Sequence, residues 1–406
     1  MRGHRRLATA LLLTGLTTAW TPAAAGRNDR PLQLVESVPT ETTLQHEEIP
    51  DAADAWPEMI AAAQRRIDLA HFYASDQAGS RLTAVVEALE AAADRGVAVR
   101  FLIGSTFRET YPELIERFTA HPGIDLRLYD VKPLMGGVLH AKMMIVDDEA
   151  FVGSQNFDWR ALEHIQELGL RIDLPAVVKA LSDVFETDWA LAGGGDPADR
   201  VRSTETTFPI VLETDAGPVS VTPVISPKGW LPDESLWDLP RLVELIDGAT
   251  RSVRVQLLSY SVGERDGTWF GDLDNALRRA ATRGVSVQLL VADWSKRRGS
   301  LEDLKSLQCL SNVEVRFSTI PEWSGGFLPF SRVIHAKYLV VDAERFWLGT
   351  SNWSRDYFYE SRNVGVIVAG GAVPRQLDAF FGDGWNSPYV TTIDPGAEYE
   401  APRRSR

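Results

Sequence analysis

Short apolar runs and helically spaced apolar positions alternate along most of the chain. Ile67–Tyr73 is rich in apolar and β-favouring residues and predicts a strand. Leu82–Arg95 carries apolar residues at helical spacing up to Gly96, where a helix C-cap is expected. Val97–Ile103 then predicts a buried strand. Strand, helix and strand in this order predict a βαβ unit in a largely parallel sheet.

The same pattern returns in the second half of the chain. Val253–Tyr260 predicts a strand, Leu273–Arg283 a helix that ends at Gly284, and Val285–Val291 a second strand. Equivalent segments keep their order, and their offset rises slowly from 186 to 196 residues, as small loop insertions would produce. The chain is therefore predicted to be one unit used twice. We expect the repeats at residues 40–195 and 208–395, with a Gly-rich connector between them.

Composition narrows the class of protein. The 406 residues are 44% hydrophobic and 24% charged, which is ordinary for a folded protein with a sizeable core. The net charge of −14 argues against a broad cationic surface for duplex DNA. The single cysteine, Cys309, excludes an intramolecular disulfide and a cysteine-based metal site, and its apolar surroundings predict a core position.

The N-terminus has the pattern of a secretory signal peptide. Arg2, Arg5 and Arg6 precede an apolar run over Leu7–Trp20, and small residues follow up to Ala25. Residues 1–25 are therefore predicted to be a cleaved signal, and the mature protein is predicted to be secreted or periplasmic.

The chain has only seven histidines and seven lysines, and one of each lies in a short strand-like segment. His140 and Lys142 are two residues apart and therefore share one face of an extended segment. The chain is expected to turn after Asp147, so that Ser154 and Asn156 return to this face. Asp147 belongs to the same motif, but its odd spacing from His140 predicts a supporting position rather than proton transfer.

The second half repeats this construction. His335 and Lys337 are followed by Asp342 at the same spacing, and the returning strand leads to Thr350 and Asn352. Two copies of His-x-Lys-x-x-x-x-Asp, in register with the repeat, are far from a chance match of such rare residues. The sequence therefore predicts one site built from both halves.

Paired imidazoles, ammonium groups and amides suit substitution at a phosphodiester. One histidine would attack phosphorus to form a phosphohistidine, and the other would donate a proton to the leaving oxygen and later accept one from water. The cationic, amide and hydroxyl groups would bind the non-bridging oxygens, namely Lys142, Lys337, Asn156, Asn352, Ser154 and Thr350. This chemistry predicts no cofactor and no metal ion.

These paired motifs and the duplicated α/β unit resemble the phospholipase D superfamily. The resemblance covers about residues 45–390. It implies two tandem α/β/α lobes related by a pseudo-two-fold axis, with the active site at their interface. It also implies that His140 is the nucleophile and His335 the acid, an assignment that the residues alone leave open.

Further segments resemble one branch, which contains lysosomal 5′-exonucleases and poxvirus envelope phospholipase-like proteins. They are Gly153–Gly169, Pro329–His335 and Gly349–Phe358. In this superfamily an acidic residue at the place of Glu167 orients the catalytic imidazole, whereas the second half has Asn363 at that offset. This asymmetry favours His140 as the nucleophile if Glu167 orients it.

The sequence thus predicts an exported phosphodiesterase whose single chain is sufficient for an active site. The substrate stays open between single-stranded nucleic acid ends and phospholipid, the latter by hydrolysis or transfer and with transient contact to a membrane surface. An inactive membrane-binding or partner-binding protein on the same fold is the third alternative.

Overall fold

The structure is a computed structural model that describes residues 31–202, 206–263 and 267–405. The predicted signal peptide at residues 1–25 lies outside these residues. Within them, no helix has the length and apolarity that a bilayer crossing requires.

Strands and helices alternate along the described chain. The strands are β1 (Leu32–Ser37), β2 (Arg66–His71), β3 (Ala74–Ser75), β4 (Ala98–Gly104), β5 (Ile124–Tyr129), β6 (Lys142–Val146), β7 (Glu149–Gly153), β8 (Phe157–Asp158), β9 (Ile165–Ile172), β10 (Ile210–Thr214), β11 (Gly217–Ser226), β12 (Ser252–Leu257), β13 (Ser286–Ala292), β14 (Val313–Ser318), β15 (Val333–Ile334), β16 (Tyr338–Val341), β17 (Arg345–Gly349), β18 (Asn363–Gly370) and β19 (Val390–Thr392). The helices are α1 (Ala52–Ala62), α2 (Arg81–Asp94), α3 (Glu113–Ala120), α4 (Lys132–Met135), α5 (Trp159–Glu163), α6 (Pro175–Ala192), α7 (Asp238–Asp247), α8 (Asp272–Thr282), α9 (Ser300–Gln308), α10 (Arg355–Tyr359) and α11 (Val373–Trp385).

Two large sheets share one strand order, which confirms the duplicated α/β fold. The first runs β1-β9-β7-β6-β2-β4-β5, and the second contains β11-β18-β17-β16-β12-β13-β14 with β10 and β19 added at its edges. In both, the βαβ unit is parallel as predicted. The expectation of a largely parallel sheet is wrong, because the hairpin that carries each His-x-Lys motif pairs antiparallel beside that unit.

Helices cover both faces of each sheet. The outer face of the first sheet packs against α1 and α2, and that of the second against α7, α8 and α9. The inner faces share one continuous core with α6 and α11, which lie between the sheets. The helices α2 and α8 end before Gly96 and Gly284, both with a positive φ near 87°, so the predicted helix ends are confirmed. Cys309, expected in the core, is exposed at the C-cap of α9.

Candidate active site

Each His-x-Lys segment is held by main-chain hydrogen bonds from the opposite lobe. His140 lies just before β6, and its backbone N–H donates to Arg362 O at 2.9 Å. His335 follows β15, which pairs in parallel with β9 of the first lobe, and its N–H donates to Gln166 O at 2.8 Å. The start of β9 and the residue before β18 therefore each bond to the motif segment of the opposite lobe. As a result, the two motifs meet at the lobe interface.

The partners of the two imidazoles are crossed. His335 Nδ1 lies 2.8 Å from both carboxylate oxygens of the fully buried Glu167. His140 Nδ1 instead lies 3.0 Å from Asn363 Oδ1. The expectation that Glu167 orients His140 is therefore wrong. Glu167 lies on β9, next to the residues that pair with β15, and its side chain contacts the histidine of the facing lobe.

The Asn363 amide determines the tautomer of His140. Its Nδ2 donates to Tyr357 O at 2.9 Å and to Ser361 O at 3.1 Å, so its Oδ1 faces the imidazole. Thr350 Oγ1 also donates to this oxygen, at 2.9 Å. An amide oxygen only accepts hydrogen bonds, so His140 must carry its proton on Nδ1. The other ring nitrogen, Nε2, then keeps the lone pair that a nucleophile needs.

The two lysines are buried beside the histidines. Lys142 Nζ donates to His140 O at 2.7 Å, and Lys337 Nζ makes the equivalent bond to His335 O. Burial lowers the pKa of Lys337 to about 7. Burial, and then the charge of Lys337, also lower the pKa of Lys142 well below its ordinary value. An anion between these ammonium groups would stabilise their charged forms, as expected of a phosphate site.

Burial and the lysines also lower the pKa values of the two imidazoles. Burial first, and then Lys142 and Lys337, lower the pKa of His140 well below 6.5. The pKa of His335 is lowered in the same way, with a further contribution from His140, so the two rings lie within electrostatic reach of each other. Burial raises the pKa of Glu167 to about 8, although Lys337 opposes it. The Glu167–His335 pair therefore keeps a proton at neutral pH.

The four uncharged residues that were predicted to bind phosphate together with the lysines divide into two groups. Ser154 Oγ donates to Leu168 O at 3.2 Å and Thr350 Oγ1 donates to Asn363, and both residues are fully buried. A hydroxyl has one proton to donate, so these groups support the partners of the imidazoles and do not bind phosphate. Asn352 Nδ2 donates to Tyr357 Oη at 3.0 Å, and Asn156 Oδ1 is buried without a hydrogen-bond partner among the described residues.

The motif aspartates lie away from this site. Asp147 accepts three backbone N–H groups from residues 64–66 at 2.8–3.0 Å, just where β2 begins. Asp342 accepts those of residues 250–252 at the start of β12. Both residues have a positive φ, of 51° and 58°, at the hairpin turn. Each is about five strand residues, or roughly 16 Å, beyond its lysine, so neither belongs with the catalytic residues, and Asp147 has the supporting position that its spacing predicted.

An aromatic wall that the sequence did not single out borders His140. It consists of Phe72, Tyr73, Phe107 and Tyr111, all half-buried. The Phe72 ring lies 5.3 Å from the His140 ring and 5.2 Å from that of Phe107, and Tyr73 stacks on Tyr111 at 5.4 Å. The pair of aromatics after the β2 strand could have drawn attention to this edge, where parallel strands place their ligands.

A buried ion pair supports the site from behind. The Arg362 guanidinium donates to both carboxylate oxygens of Asp188 at 2.8 and 2.9 Å, and both side chains are fully buried. It also donates to Ser226 O and Trp230 O. Because Arg362 O accepts the His140 N–H, this pair determines where the first histidine lies.

Comparison with known proteins agrees with this geometry. Residues 57–189 and 242–385, more than half of the chain, match the family described as "Cardiolipin synthase, PLD-like domain". The chain belongs to the phospholipase D family. It is 31% identical to phospholipase D Z of Dictyostelium discoideum over 89% of this chain and 91% of that protein. It is 30% identical to the 5′-3′ exonuclease PLD3 of Rattus norvegicus over 90% of this chain and 81% of that protein.

A solved structure shares the fold of this phospholipase D family member. The phosphatidylserine synthase of Haemophilus influenzae superposes with a TM-score of 0.61 at 13% identity, over 84% of this chain and 85% of that one. The family match and the curated relatives make the chain a phosphodiesterase of the phospholipase D family, in the branch of the exonucleases.

Proposed function

We propose that this protein is an exported phosphodiesterase that releases nucleotides from the ends of single-stranded nucleic acid. The crossed pairing of the imidazoles carries the mechanism, since one histidine faces a neutral amide and the other a carboxylate. The first environment suits a neutral nucleophile. The second suits a group that gives up and takes back a proton.

In the first step, His140 Nε2 forms a bond to phosphorus while the bond from phosphorus to the leaving oxygen breaks. The His140 Nδ1–H remains hydrogen-bonded to Asn363 Oδ1. The phosphorylated ring is therefore cationic and is a good leaving group in the second step. His335 donates a proton to the leaving oxygen, and the proton that the Glu167–His335 pair holds replaces it on the imidazole. In the second step, His335 takes a proton from water, and the resulting hydroxide displaces His140 from phosphorus.

Charge on the non-bridging oxygens is balanced by the protein. Lys142 and Lys337 supply the positive charge, and Asn156 and Asn352, on the returning segments, supply amide N–H groups. In a buried site these charges act in a low dielectric and need no reorganisation during the reaction. The mechanism therefore uses no divalent cation.

The aromatic wall favours nucleic acid as the substrate. Half-buried rings beside a phosphate site offer stacking surfaces for bases, and such stacking tolerates any sequence. The relative named 5′-3′ exonuclease PLD3 supports the same substrate. The relative named phospholipase D Z supports a second candidate, hydrolysis or transfer of a phospholipid headgroup at a membrane surface.

Export is proposed from the N-terminal segment alone. The arginines, apolar run and small residues of positions 1–25 support cleavage near Ala25. Sequencing the N-terminus of the protein recovered outside the cytoplasm should find Gly26 or a near neighbour. Recovery of the intact N-terminus with the cells would contradict export.

The substrate is tested by direct comparison in the presence of a chelator. Wild type and His140→Ala are offered 5′-labelled single-stranded DNA and phosphatidylcholine vesicles between pH 4.5 and 8. We expect nucleotide release by the wild type only. Choline release would favour the lipid substrate, and no product from either would favour the inactive binding protein. Loss of all activity in the chelator would contradict the metal-free mechanism.

A further inference from the structure

Cationic and aromatic side chains from three segments gather beside the second lobe's half of the active site. They belong to the loop after β13, the segment before β15 and the C-terminal tail, and we call them the basic rim: Lys296, Arg297, Arg298, Phe330, Arg403 and Arg404. Arg404 packs against Trp294, two residues before Lys296, and therefore brings the tail cations to the loop cations in a chain with a net charge of −14.

The C-terminal tail is docked rather than loose. Arg403 lies 3.9 Å above the centroid of the Phe327 ring, and Arg404 lies 5.7 Å from that of Trp294. The Phe330 N–H donates to Arg404 O at 2.9 Å. The tail and the segment before β15 therefore form one surface, and both arginines keep exposed side chains there.

The path of the tail leads towards the active-site end of the second sheet. The strand β19 pairs with β14 at the sheet edge, and farther along the chain Tyr399 packs against Phe317 at 5.3 Å. Lys305 Nζ holds this stretch by donating to Ala397 O at 2.5 Å. The tail then reaches Trp294, which follows the carboxyl end of β13. Ligands bind at the carboxyl ends of parallel strands in such sheets.

Phe330 is held outward by an unusual backbone. Its φ is +56° and that of Arg332 is +55°, a region that bulky residues rarely occupy. The buried Arg332 guanidinium anchors this segment by donating to Pro321 O at 2.6 Å and Thr40 O at 2.8 Å, so it does not reach substrate. The Phe330 ring remains 51% exposed. Strain that presents an apolar ring to solvent is characteristic of functional positions.

The loop that carries the first three cations of the basic rim is linked to the catalytic groups. Ser295 Oγ, in the turn after β13, donates to Leu258 O at 3.3 Å. The N–H of Ser259, which follows Leu258, donates to Asn352 Oδ1 at 3.3 Å. Arg297 lies within electrostatic reach of Tyr357. The Tyr357 ring in turn meets that of His140 edge-on at 4.9 Å. A strand whose end occupies the active site would therefore pass the rim.

We propose that the basic rim binds backbone phosphates of a single-stranded nucleic acid beyond the scissile bond, with Phe330 stacking on a base. The proposal rests on the nucleic-acid substrate proposed above. Cations that follow the backbone, interleaved with aromatic faces, are how proteins bind single strands without sequence preference. A local patch of this kind also reconciles an acidic protein with a polyanionic substrate.

The test compares a long and a short substrate. Variants Arg403→Ala/Arg404→Ala and Phe330→Ala are assayed on a 20-nucleotide oligothymidylate and on the p-nitrophenyl ester of thymidine 5′-monophosphate. The matched control, Arg65→Ala/Arg251→Ala, removes the same charge from side chains about 60% exposed at the opposite ends of the strands. The readouts are the ratio of kcat/KM for the two substrates and its dependence on salt.

We expect the ratio to fall in both rim variants and to stay constant in the control. Loss of one stacked base should lower it roughly five- to hundredfold in Phe330→Ala. Loss of two phosphate contacts should reduce the slope of log(kcat/KM) against log[salt] for the oligonucleotide by about 1.4.

Three results would overturn the proposal, and they are distinguishable. If the wild type degrades oligothymidylate but the rim variants match the control, the rim has no role in binding and the proposed function stands. If the wild type leaves oligothymidylate intact, the nucleic-acid function itself fails. Loss of binding to phosphatidylglycerol vesicles, with the ratio unchanged, would identify the rim as a membrane contact and contradict the proposal.

Discussion

Replacing Glu167 by glutamine tests the division of labour between the two histidines. The amide has the shape of the carboxylate and still accepts a hydrogen bond from His335 Nδ1, but it lacks the charge that stabilises the imidazolium. A hydrogen bond to a charged group stabilises by about 1.5–3 kcal/mol. The variant should therefore lose about 10- to 150-fold in kcat when a proton must be delivered to the leaving group.

The assay compares two leaving groups on one phosphoryl centre. The p-nitrophenyl ester of thymidine 5′-monophosphate releases a stable phenolate and needs no acid, whereas a thymidine dinucleotide releases an alkoxide that does. Glu167→Gln should slow hydrolysis of the dinucleotide strongly and hydrolysis of the p-nitrophenyl ester only slightly. Equal losses on both substrates would refute the assignment of His335 as the acid.

The pH profile gives a second readout. In the wild type, the Glu167–His335 pair loses its proton above the Glu167 pKa of about 8, so activity on the dinucleotide should decline above that pH. In Glu167→Gln the carboxyl group whose pKa is about 8 is gone, and burial and the lysines hold the pKa of the remaining His335 well below 6.5, so the decline should move to lower pH. Asn363→Asp is the opposite change, because it places a carboxylate beside His140. This carboxylate should favour the protonated, inactive form of His140 and so lower activity at acidic pH. An alkaline limb that does not move in Glu167→Gln would contradict the pairing.

Three further predictions concern the scaffold. Asp342→Asn should lower the free energy of unfolding at pH 7 by about 2 kcal/mol in urea titrations yet change kcat less than about twofold, since Asp342 holds backbone N–H groups away from the site. Burial lowers the pKa of His46, but the Glu36 carboxylate raises it by more, so that the pKa lies above 6.5. The loss of stability in His46→Gln should therefore be largest below pH 6.5 and should shrink as the pH rises, as measured by thermal unfolding at a series of pH values. Arg362→Ala should destabilise by about 3–5 kcal/mol in denaturant titrations, because Asp188 stays buried without its partner; an unchanged midpoint would contradict this.

Local patterns predicted the elements of this fold well. The helix predicted at Leu82–Arg95 lies at Arg81–Asp94, and that predicted at Leu273–Arg283 lies at Asp272–Thr282. Periodicity and a terminal glycine are local properties, and they need no knowledge of the tertiary structure. The offset between the repeats predicted the equivalent strand order of the two sheets for the same reason.

Contacts between the lobes could not be predicted in this way. Equal spacing after each motif assigned Glu167 to His140, whereas the pairing of β15 with β9 across the lobe interface brings His335 to it. Likewise, Thr350 lies on the returning segment as expected, but its hydroxyl bonds to Asn363 from the same lobe. Sequence spacing gives position along one strand, while the Glu167 partner depends on how the two lobes pack together and the Thr350 partner on how neighbouring strands of one sheet end.

We expect His140, and not His335, to form the covalent bond to phosphorus. Rapid acid-free quenching of the wild type during turnover of the p-nitrophenyl ester, followed by peptide mass spectrometry, measures this directly. A nucleotidyl adduct should be found on the peptide containing His140, and none should form in His140→Ala. An adduct on the peptide containing His335 in the wild type would show that the nucleophile has been assigned to the wrong histidine.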